Sequence, residues 1–572
     1  MRNTQRTNKK WINGIGVTAL TLFLCACGAQ NQGTVQTEAI PGFAQDEGAG
    51  QGGSDEQTAG SEASFGENEE VIDLTEEELG ELENLINDRR CNGFLMSSYQ
   101  DPTNINWNEV FYSGTGFAST MDLDGQEGAD VLEALHQAEF YCDVTKVTTG
   151  ELESFVTEWT GTAYGDAKRP ITWTYLSKYD AYYNEHGDTN YLPFKVVSGT
   201  KQGDRYTFCC VRDDGFEGVS YDNNFETVVI RQEDGSYRFY SNRLLWEKDS
   251  VPEQTFAADL SEYPGNTWFV TYPATDTDGV TMRIICEDEV QDYLYCYGFD
   301  EDPITSVDAV AFKDYDHDGN TDILVIGSNS EGAHPMVFDG FDTEDVYLRD
   351  FYMNEGLSRG ADLYAKDKTV GALLDYLQDG HTEDTFASAQ DAYAFAARLF
   401  KLSKGEEAEI LYDLVYVDGD DIPELVCNHS GYTITLYTFD GARCHTVMKD
   451  MGYGVGGNAG YGYLPGKNRL YNGDADYAGM IYYHSFYHIG EDHKLAHDKT
   501  YMVLNFDDAN HNEYPDEGED YEESAGGVYL YEETGARKAV DESDCAEDFR
   551  DMANCEYFYG TMTYEELLEQ LR

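Results

Sequence analysis

Four carboxylates recur at regular spacing within one short stretch of the chain. Residues 312–327 read FKDYDHDGNTDILVIG, and the acids at loop positions 1, 3, 5 and 9 are Asp314, Asp316, Asp318 and Asp322. Calcium takes roughly six to eight hard oxygen ligands in a flexible cage. Side chains at these positions can converge on one ion while the backbone carbonyl of Asn320 fills position 7, and Gly319 permits the sharp turn. The spacing predicts a Ca²⁺ site, with a solvated acidic turn as the alternative.

A second stretch, YVDGDDIPELV at 416–426, keeps part of this spacing. Its acids at positions 3, 5 and 9 are Asp418, Asp420 and Glu424. Position 1 is Tyr416 and position 6 is Asp421 instead of glycine. A weak cation site and a metal-free structural turn both remain open for this loop.

A third stretch, DDANHNEYPDEGE at 507–519, offers a fuller ligand set. Positions 1, 3, 5, 7, 9 and 12 are occupied by Asp508, Asn510, Asn512, the carbonyl of Tyr514, Asp516 and Glu519. Glu513 stands where such loops usually have glycine. The set resembles EF-hand or dockerin-type loops and predicts a further Ca²⁺ site.

The residues around the first loop indicate strands and not helices. Apolar runs at 310–312 and 323–326 flank it, and position 12 is Val325 and not glutamate. This strand–loop–strand pattern resembles the FG-GAP or VCBS repeat of integrin alpha-chain propellers and many bacterial surface proteins. The resemblance implies that Asp314, Asp316, Asp318 and Asp322 bind calcium. Similar strand sequences follow the loops that start near 314, 416 and 508, and Leu530-Tyr531 after the third loop matches Leu436-Tyr437 after the second. This predicts a loose repeat of about 90–100 residues.

The order of the remaining elements predicts an α+β, β-rich fold. Thr75 followed by three glutamates predicts a capped helix, and helical patterns follow at about 129–141 and 149–160. Strand patterns then run to about residue 245, with Glu233–Ser236 as a hairpin turn. After 250 the chain is mostly strands, broken by one clear helix at about 389–402. We expect an N-terminal α+β domain at 71–249, then antiparallel β modules at 250–360 and 361–572 that contain the strand–loop–strand repeats.

The N-terminus has the three parts of an export signal. Four cations precede an apolar stretch at 12–24, which is too short to span a bilayer comfortably, and Leu24-Cys25-Ala26-Cys27 closes the segment. The Leu24–Cys27 sequence resembles the lipobox of bacterial lipoproteins. The resemblance implies cleavage before Cys27 and a diacylglyceryl group on the Cys27 thiol. We therefore expect residues 1–27 to be a signal segment that leaves the protein lipid-anchored on the outer face of the cell membrane. Residues 28–70 are rich in Gly, Gln, Ser, Asp and Glu, and are predicted to be a disordered tether.

Charge limits the partners of this chain. It has 109 Asp and Glu against 37 Lys and Arg, a formal net charge of −72. Nucleic acid and anionic headgroups are poor partners for such a surface, whereas divalent cations are good ones. Ten cysteines follow Cys27, and either disulfides or buried thiols fit an exported chain.

Two other patterns have simpler explanations than a site. A histidine cluster, made of His484, His488, His493 and His497, could bind zinc. However, the sequence predicts a strand at Ile481–Ile489 with its turn at 490–492, so side chains of a β-hairpin explain the cluster better. A tyrosine-rich segment contains Tyr453, Tyr461, Tyr463 and Tyr471. Such rings suit sugar or protein surfaces, yet cross-strand packing is favoured for any one of them.

Most of the chain is similar to a group of surface lipoproteins from anaerobic Gram-positive bacteria. The phrases that carry this likeness are NGFLMSSYQDPTNINWNEVFYSGTG at 92–116, DGDDIPEL at 418–425 and NFDDANHNEYPDE at 505–517. The likeness implies no activity. Two functions stand: a non-catalytic, calcium-stabilised module that binds a surface protein or glycan, which we favour, and an extracellular, glycosidase-like hydrolase whose acids are hidden among the many others. A deep cleft with converging carboxylates would favour the second.

Overall fold

The computed structural model describes residues 70–572 with short gaps. The gaps are 113–114, 118, 121–122, 124, 136–139, 186–188, 214–223, 261–262, 264, 276–277, 300, 342–350, 406–407, 455–456, 509–514, 516–520, 523 and 532–536. Residues 1–69 lie outside the described part, and with them the predicted signal segment, Cys27 and nearly all of the predicted tether.

The described residues form two compact units. The N-terminal unit runs to Phe386 and includes Ala394–Ala408, and the C-terminal unit comprises Ala387–Tyr393 and Glu409–Arg572. Antiparallel sheets and a few helices make up both, so the predicted α+β, β-rich class is confirmed.

The N-terminal unit begins with helices interleaved with two sheets. Its first elements are β1 (Ile72–Asp73), α1 (Glu76–Ile86), α2 (Trp107–Tyr112), β2 (Ser119–Thr120), α3 (Gly125–Leu135), β3 (Val144–Thr148), α4 (Thr149–Thr160), β4 (Thr174–Leu176), β5 (Ala181–Glu185), β6 (Phe194–Gln202), β7 (Arg205–Arg212), β8 (Asn224–Arg231) and β9 (Tyr237–Leu244). The strands form one sheet in the order β1-β6-β7-β8-β9 and another in the order β2-β3-β5-β4.

Local sequence explains where these elements start and turn. Helix α1 begins with the predicted capping box, in which Thr75 and Glu78 satisfy each other's backbone amides. The predicted hairpin turn joins β8 to β9, where Gly235 has a φ of +87° that L residues rarely adopt. Phe94 stacks on Phe239 with ring centroids 4.2 Å apart, and this contact joins the helical layer to the sheet.

Two four-stranded meanders follow in the same unit. Their strands are β10 (Phe256–Ala257), β11 (Thr267–Tyr272), β12 (Thr281–Cys286) and β13 (Glu289–Leu294), then β14 (Ser306–Lys313), β15 (Asp322–Asn329), β16 (Gly332–Gly340) and β17 (Phe351–Met353). Each sheet keeps its strands in chain order, and all pairs are antiparallel. Phe269 and Ile284 of one sheet share a buried core with Ile323, Val325 and Phe338 of the other. Burial on both faces explains the nearly continuous apolar run of β15.

Three helices come next, and the last of them is divided between the two units. The helices are α5 (Glu355–Tyr364), α6 (Val370–Gln378) and α7 (Ala389–Lys404). A third four-stranded meander contains β18 (Ile410–Val415), β19 (Glu424–His429), β20 (Thr433–Phe439) and β21 (Cys444–Gly452). The last elements are β22 (Tyr461–Leu464), β23 (Arg469–Asp476), β24 (Ile481–Ile489), β25 (Leu495–Leu504), β26 (Gly527–Tyr531), β27 (Arg537–Ala539), α8 (Glu542–Met552), β28 (Glu556–Tyr557) and α9 (Tyr564–Gln570). Seven of these strands form one sheet in the order β27-β26-β25-β24-β23-β22-β28.

The prediction of a single helix after residue 250 was wrong. Helix α7 is present, but the described residues also contain α5, α6, α8 and α9. Helix α5 has two glycines in its ten residues and α6 is only nine residues long, so neither gave a strong helical signal. All ten cysteines within the described residues are free thiols. No described helix has the length and apolar character needed to cross a membrane.

Candidate metal centres

Loop one, residues 314–321, joins β14 to β15 and brings three carboxylates together. One oxygen each of Asp314, Asp316 and Asp322 lies within 4.8 Å of the others. The loop folds onto these acids, because the amides of Asp318 and Gly319 donate to the two oxygens of Asp314 at 3.1 Å each. A group of three carboxylate oxygens at this spacing can hold a metal ion.

Asp322 is the most buried member of loop one. Its side chain has no exposed surface and stands at the first position of β15. The amide of Tyr315 donates to Oδ2 at 3.0 Å and that of Gly340 donates to Oδ1 at 2.9 Å. Burial, together with the charge of Asp316, raises the pKa of the Asp322 carboxyl well above its usual range. A cation among these acids would remove the cost of keeping them ionised, so the donor set fits a divalent ion.

Neighbouring side chains fix loop one in place. The buried Tyr315 hydroxyl donates to Asp339 at 2.6 Å, and Asn354 donates to the other oxygen of Asp339 at 2.8 Å. His317 has a φ of +64° and its ring packs on Phe395 of α7, with centroids 5.5 Å apart. Contacts on both sides therefore hold the loop in its turn.

One acid predicted as a ligand of loop one lies apart from the others. Asp318 is outside the group of three convergent acids, and its Oδ1 accepts the amide of Asn320 at 2.9 Å. The charge of Asp318 nevertheless contributes to the raised pKa of Asp314 and of Asp322. The glycine expected at the turn, Gly319, has a φ of +96°.

Loop two, residues 416–423, joins β18 to β19 and also brings three carboxylates together. Oxygens of Asp418, Asp420 and Glu424 all lie within 4.8 Å of one another. The amides of Asp420 and Ile422 donate to the acids two residues before them, at 2.9 and 2.7 Å. The Tyr393 hydroxyl donates to the carbonyl of Pro423 at 2.7 Å and anchors the end of the loop.

Glu424 has the same role in loop two as Asp322 has in loop one. It is fully buried at the first position of β19, and the amide of Val417 donates to Oε2 at 2.7 Å. Thr438 donates to Oε1 at 3.3 Å. Burial raises the pKa of Glu424 to about 7, and the charges of Asp418 and Asp420 add to the shift. This second group of acids can hold a metal ion as well.

The third loop has a different setting. Asp508 is buried, whereas Asn510, Asn512, Tyr514, Asp516 and Glu519 lie outside the described residues. Residues 505–526 separate β25 from β26, compared with residues 314–321 and 416–423 in the first two loops. Leu530 lies in β26, directly after the loop, but its predicted counterpart Leu436 lies in β20, the second strand after loop two. The predicted repeat is therefore wrong for its third copy.

The four clustered histidines do not converge. His484 contacts the Tyr471 hydroxyl at 2.9 Å, His488 contacts Asp498 at 2.8 Å and His497 contacts Thr500 at 2.9 Å. Strand β24 and its turn lie where the sequence predicted them. Tyr453, Tyr461, Tyr463 and Tyr471 are all buried, in agreement with cross-strand packing.

One cavity in the N-terminal unit has three carboxylates in its wall. It has a volume of about 310 Å³, and its acids are Glu109, Asp288 and Glu289. Glu289 pairs with Arg169 at 3.0 Å, and Asp288 accepts the indole N–H of Trp246 at 2.7 Å. Glu109 accepts the amide group of Asn190 at 2.8 Å. Each of the three acids thus holds a structural contact.

The fold and these sites define a class: an α+β, β-rich protein whose meanders contain acidic loops that can hold a metal ion. No family model matches the chain, and no curated protein matches it. Among solved structures it is similar to one described as "Crystal structure of the eukaryotic initiation factor", with 9% identity, 66% of this chain and 91% of that chain covered, and a TM-score of 0.12. A likeness at that score carries no argument about fold or function.

Proposed function

We propose that this protein is a lipid-anchored, extracellular, calcium-binding lipoprotein that acts as a non-catalytic binding or adhesion module for a surface protein or glycan. One observation carries the calcium part. In each of two loops a fully buried acid, Asp322 or Glu424, stands within 4.8 Å of two further carboxylates.

The donor set favours calcium over other common cations. Both groups offer carboxylate oxygens only, and the carbonyl predicted at position 7 of loop one, that of Asn320, would raise the coordination number there. Mg²⁺ requires a smaller, near-octahedral cage and gives up water reluctantly, whereas Ca²⁺ accepts an irregular one. Zn²⁺ and Cu²⁺ prefer sites with nitrogen or sulfur ligands. Extracellular calcium modules often have a Kd of about 10⁻⁴ to 10⁻³ M.

Calcium should therefore stabilise the folded chain. Thermal melting of the full chain in EGTA, Mg²⁺ and Ca²⁺ tests this, and we expect millimolar Ca²⁺ to raise the Tm more than Mg²⁺ does. A ligand that binds only the folded form contributes about 2.7 kcal/mol at 100 times its Kd. Equal Tm values in the three buffers would leave both loops as metal-free acidic turns.

A pair of adjacent acids separates ligation from simple charge relief. Asp420 belongs to the convergent group of loop two, whereas its exposed neighbour Asp421 does not. Asp420→Asn and Asp421→Asn remove the same charge. We expect only the first to reduce the calcium-dependent rise in Tm. In EGTA both should leave the Tm unchanged or raise it, because each reduces repulsion within the loop. Equal losses in the two variants would contradict ligation by loop two.

The anchor is the second part of the proposal. Its support is the Leu24-Cys25-Ala26-Cys27 box after a basic and apolar leader. Cys27→Ser should leave the protein unprocessed or release it from the membrane fraction, and Cys25→Ser should change neither. Immunoblots of membrane and medium fractions would measure this. A Cys27→Ser protein as mature and as membrane-bound as wild type would disprove lipidation.

Exposed aromatic side chains support the proposed binding of a surface protein or glycan. Tyr557 and Tyr559 stack with centroids 5.4 Å apart at an angle of 6°, and both are at least a third exposed. Flat rings with a polar tip suit sugar and protein surfaces. Affinity electrophoresis in gels that contain soluble polysaccharides would compare wild type with a Tyr557→Ala, Tyr559→Ala variant. Retardation of wild type alone is expected; equal mobility in every gel would remove glycan from the proposal.

A further inference from the structure

Two hairpins of the C-terminal unit bring nitrogen and oxygen ligands together outside the acidic loops. Asp440 and His445 belong to the β20–β21 hairpin, and His493 lies in the turn between β24 and β25. We propose that Asp440, His445 and His493 form a binding site for a divalent transition metal, with Zn²⁺ as its best-matched ion.

The distances within this group suit one small ion. One ligand atom of each residue lies within 4.8 Å of the others, and His445 Nε2 is 2.9 Å from Asp440 Oδ2. Zinc binds imidazole nitrogen and carboxylate oxygen at about 2.0–2.2 Å, so tetrahedral ligand atoms lie about 3.4 Å apart. His445 and Asp440 are already inside that separation. The His493 ring stacks nearly parallel to that of His445, so it must turn about its side-chain bonds for its nitrogen to face the same ion and complete the set.

Backbone contacts orient the carboxylate before any metal arrives. Oδ1 of Asp440 accepts the amides of Ala442 at 2.8 Å and Arg443 at 2.7 Å. This leaves Oδ2 directed at His445. Hydrogen bonds that orient a ligand in this way strengthen metal sites, because less freedom is lost on binding.

A tight turn holds the third ligand over the second. His493 has a φ of +62°, and its amide donates to the carbonyl of Gly490 at 3.0 Å. Its ring stacks on that of His445, with centroids 4.3 Å apart and an angle of 19°. Stabilisation of the β20–β21 turn would explain the contact between Asp440 and His445. It does not explain why His493, from a second hairpin, also contacts them.

The ligand types decide the class of ion. Two imidazoles and one carboxylate suit Zn²⁺ and similar ions, whereas Ca²⁺ takes oxygen ligands. Three protein ligands leave the fourth tetrahedral position to water or to an incoming group. The site would therefore cross-link two hairpins, and it is chemically independent of the proposed calcium loops.

Zinc titration of the full chain tests the site. The protein would be stripped with chelator, purified in detergent and held in saturating Ca²⁺, so that the acidic loops do not compete. Calorimetry should then show one zinc equivalent in wild type. His445→Gln and His493→Asn should each weaken binding at least tenfold, while His497→Gln, on the same hairpin as His493, should bind as wild type does.

Two further measurements keep the result interpretable. Equal melting curves of all variants in EDTA would show that the substitutions leave the fold intact. Co²⁺ in place of Zn²⁺ should give the intense visible absorption of a tetrahedral site, and His493→Asn should lose it. No zinc uptake by wild type, or uptake that His445→Gln and His493→Asn leave unchanged, would overturn the proposal without affecting the calcium loops.

Discussion

Asp322 and Glu424 occupy equivalent positions in two strand–loop–strand units. Each is the buried first residue of the strand after its loop, and each accepts the amide of the residue seven positions earlier. Lys313 pairs with Asp322 and Val415 pairs with Glu424, so the two loops have equal length. The offset is 424 − 322 = 102 residues. The strand pairs that close the two loops are equivalent, but the turns differ: His317 and Gly319 of loop one have a positive φ, whereas Gly419 and Asp421 at the same positions of loop two do not.

The clearest difference is at position 1, and it leads to a gain-of-function prediction. Loop one has Asp314 there, whereas loop two has Tyr416, which is 51% exposed. Tyr416→Asp should place a further carboxylate beside Asp418, Asp420 and Glu424. We expect roughly tenfold tighter Ca²⁺ binding at loop two, because one more charge close to a divalent ion contributes about 1–2 kcal/mol even in water. Calorimetry in a background with Asp314→Asn and Asp316→Asn removes loop one from the titration, and Tyr416→Asp is compared with its parent in that background.

A second exposed tyrosine provides the control for that experiment. Tyr432 lies in the next hairpin of the same sheet, between β19 and β20, and is also about half exposed. Tyr432→Asp adds the same charge away from loop position 1 and should change the Kd by less than about twofold. Equal tightening in both variants would mean that general charge, and not a carboxylate at loop position 1, sets calcium affinity.

Much of the local structure could be predicted from the sequence. The capping box at Thr75, the hairpin turn at Gly235 and the strand Ile481–Ile489 all depend on neighbouring residues, so their patterns were sufficient. The three convergent acids of each of loops one and two were also found from spacing, because a single turn of backbone brings them together, although the same spacing included Asp318, which lies outside its group.

The rest depended on contacts between residues that are far apart. His493 was grouped by sequence with three nearby histidines, but its partners are His445 and Asp440 of another hairpin. The full burial of Glu424 follows from how β19 packs, which no local spacing reveals. Sequence similarity matched Leu530 to Leu436, but Leu530 lies in the first strand after its loop and Leu436 lies in the second strand after its loop.

A buried ion cluster joins α8 to the seven-stranded sheet, and its loss should be costly. Asp548 of α8 accepts hydrogen bonds from Arg469, from Lys499 at 3.0 Å and from the Tyr501 hydroxyl. Asp548→Asn would remove the counter-ion that Lys499 and Arg469 share, although Arg469 keeps its contact with Asp551 at 2.7 Å. We expect a loss of about 2 kcal/mol in the free energy of unfolding, as measured by urea denaturation. Burial opposes ionisation, but these donors lower the pKa of Asp548, so its contribution should also fall away as pH drops below about 4.

A neighbouring acid on the same helix gives the matched control. Glu547 is largely exposed, and its contact with Arg550 is 3.6 Å long. Glu547→Gln removes one charge from α8 without disturbing the cluster and should change stability by less than about 0.5 kcal/mol. Similar losses in the two variants would show that the net charge of α8, and not the buried cluster, holds the helix to the sheet.

His484 is mostly buried on β24. Burial lowers its pKa from 6.5 to about 4, and the Tyr471 hydroxyl lies 2.9 Å from its Nδ1. Between these two pH values the unfolded chain binds a proton that the folded chain does not. Stability should therefore be complete above pH 6.5 and should fall as pH drops towards 4, by roughly 3 kcal/mol at the limit. Urea denaturation across this range should show a shallower fall for His484→Gln, which keeps an acceptor for Tyr471. His488→Gln removes a more exposed histidine of the same strand and should retain the wild-type slope. Parallel curves for wild type and His484→Gln would contradict a neutral, buried His484.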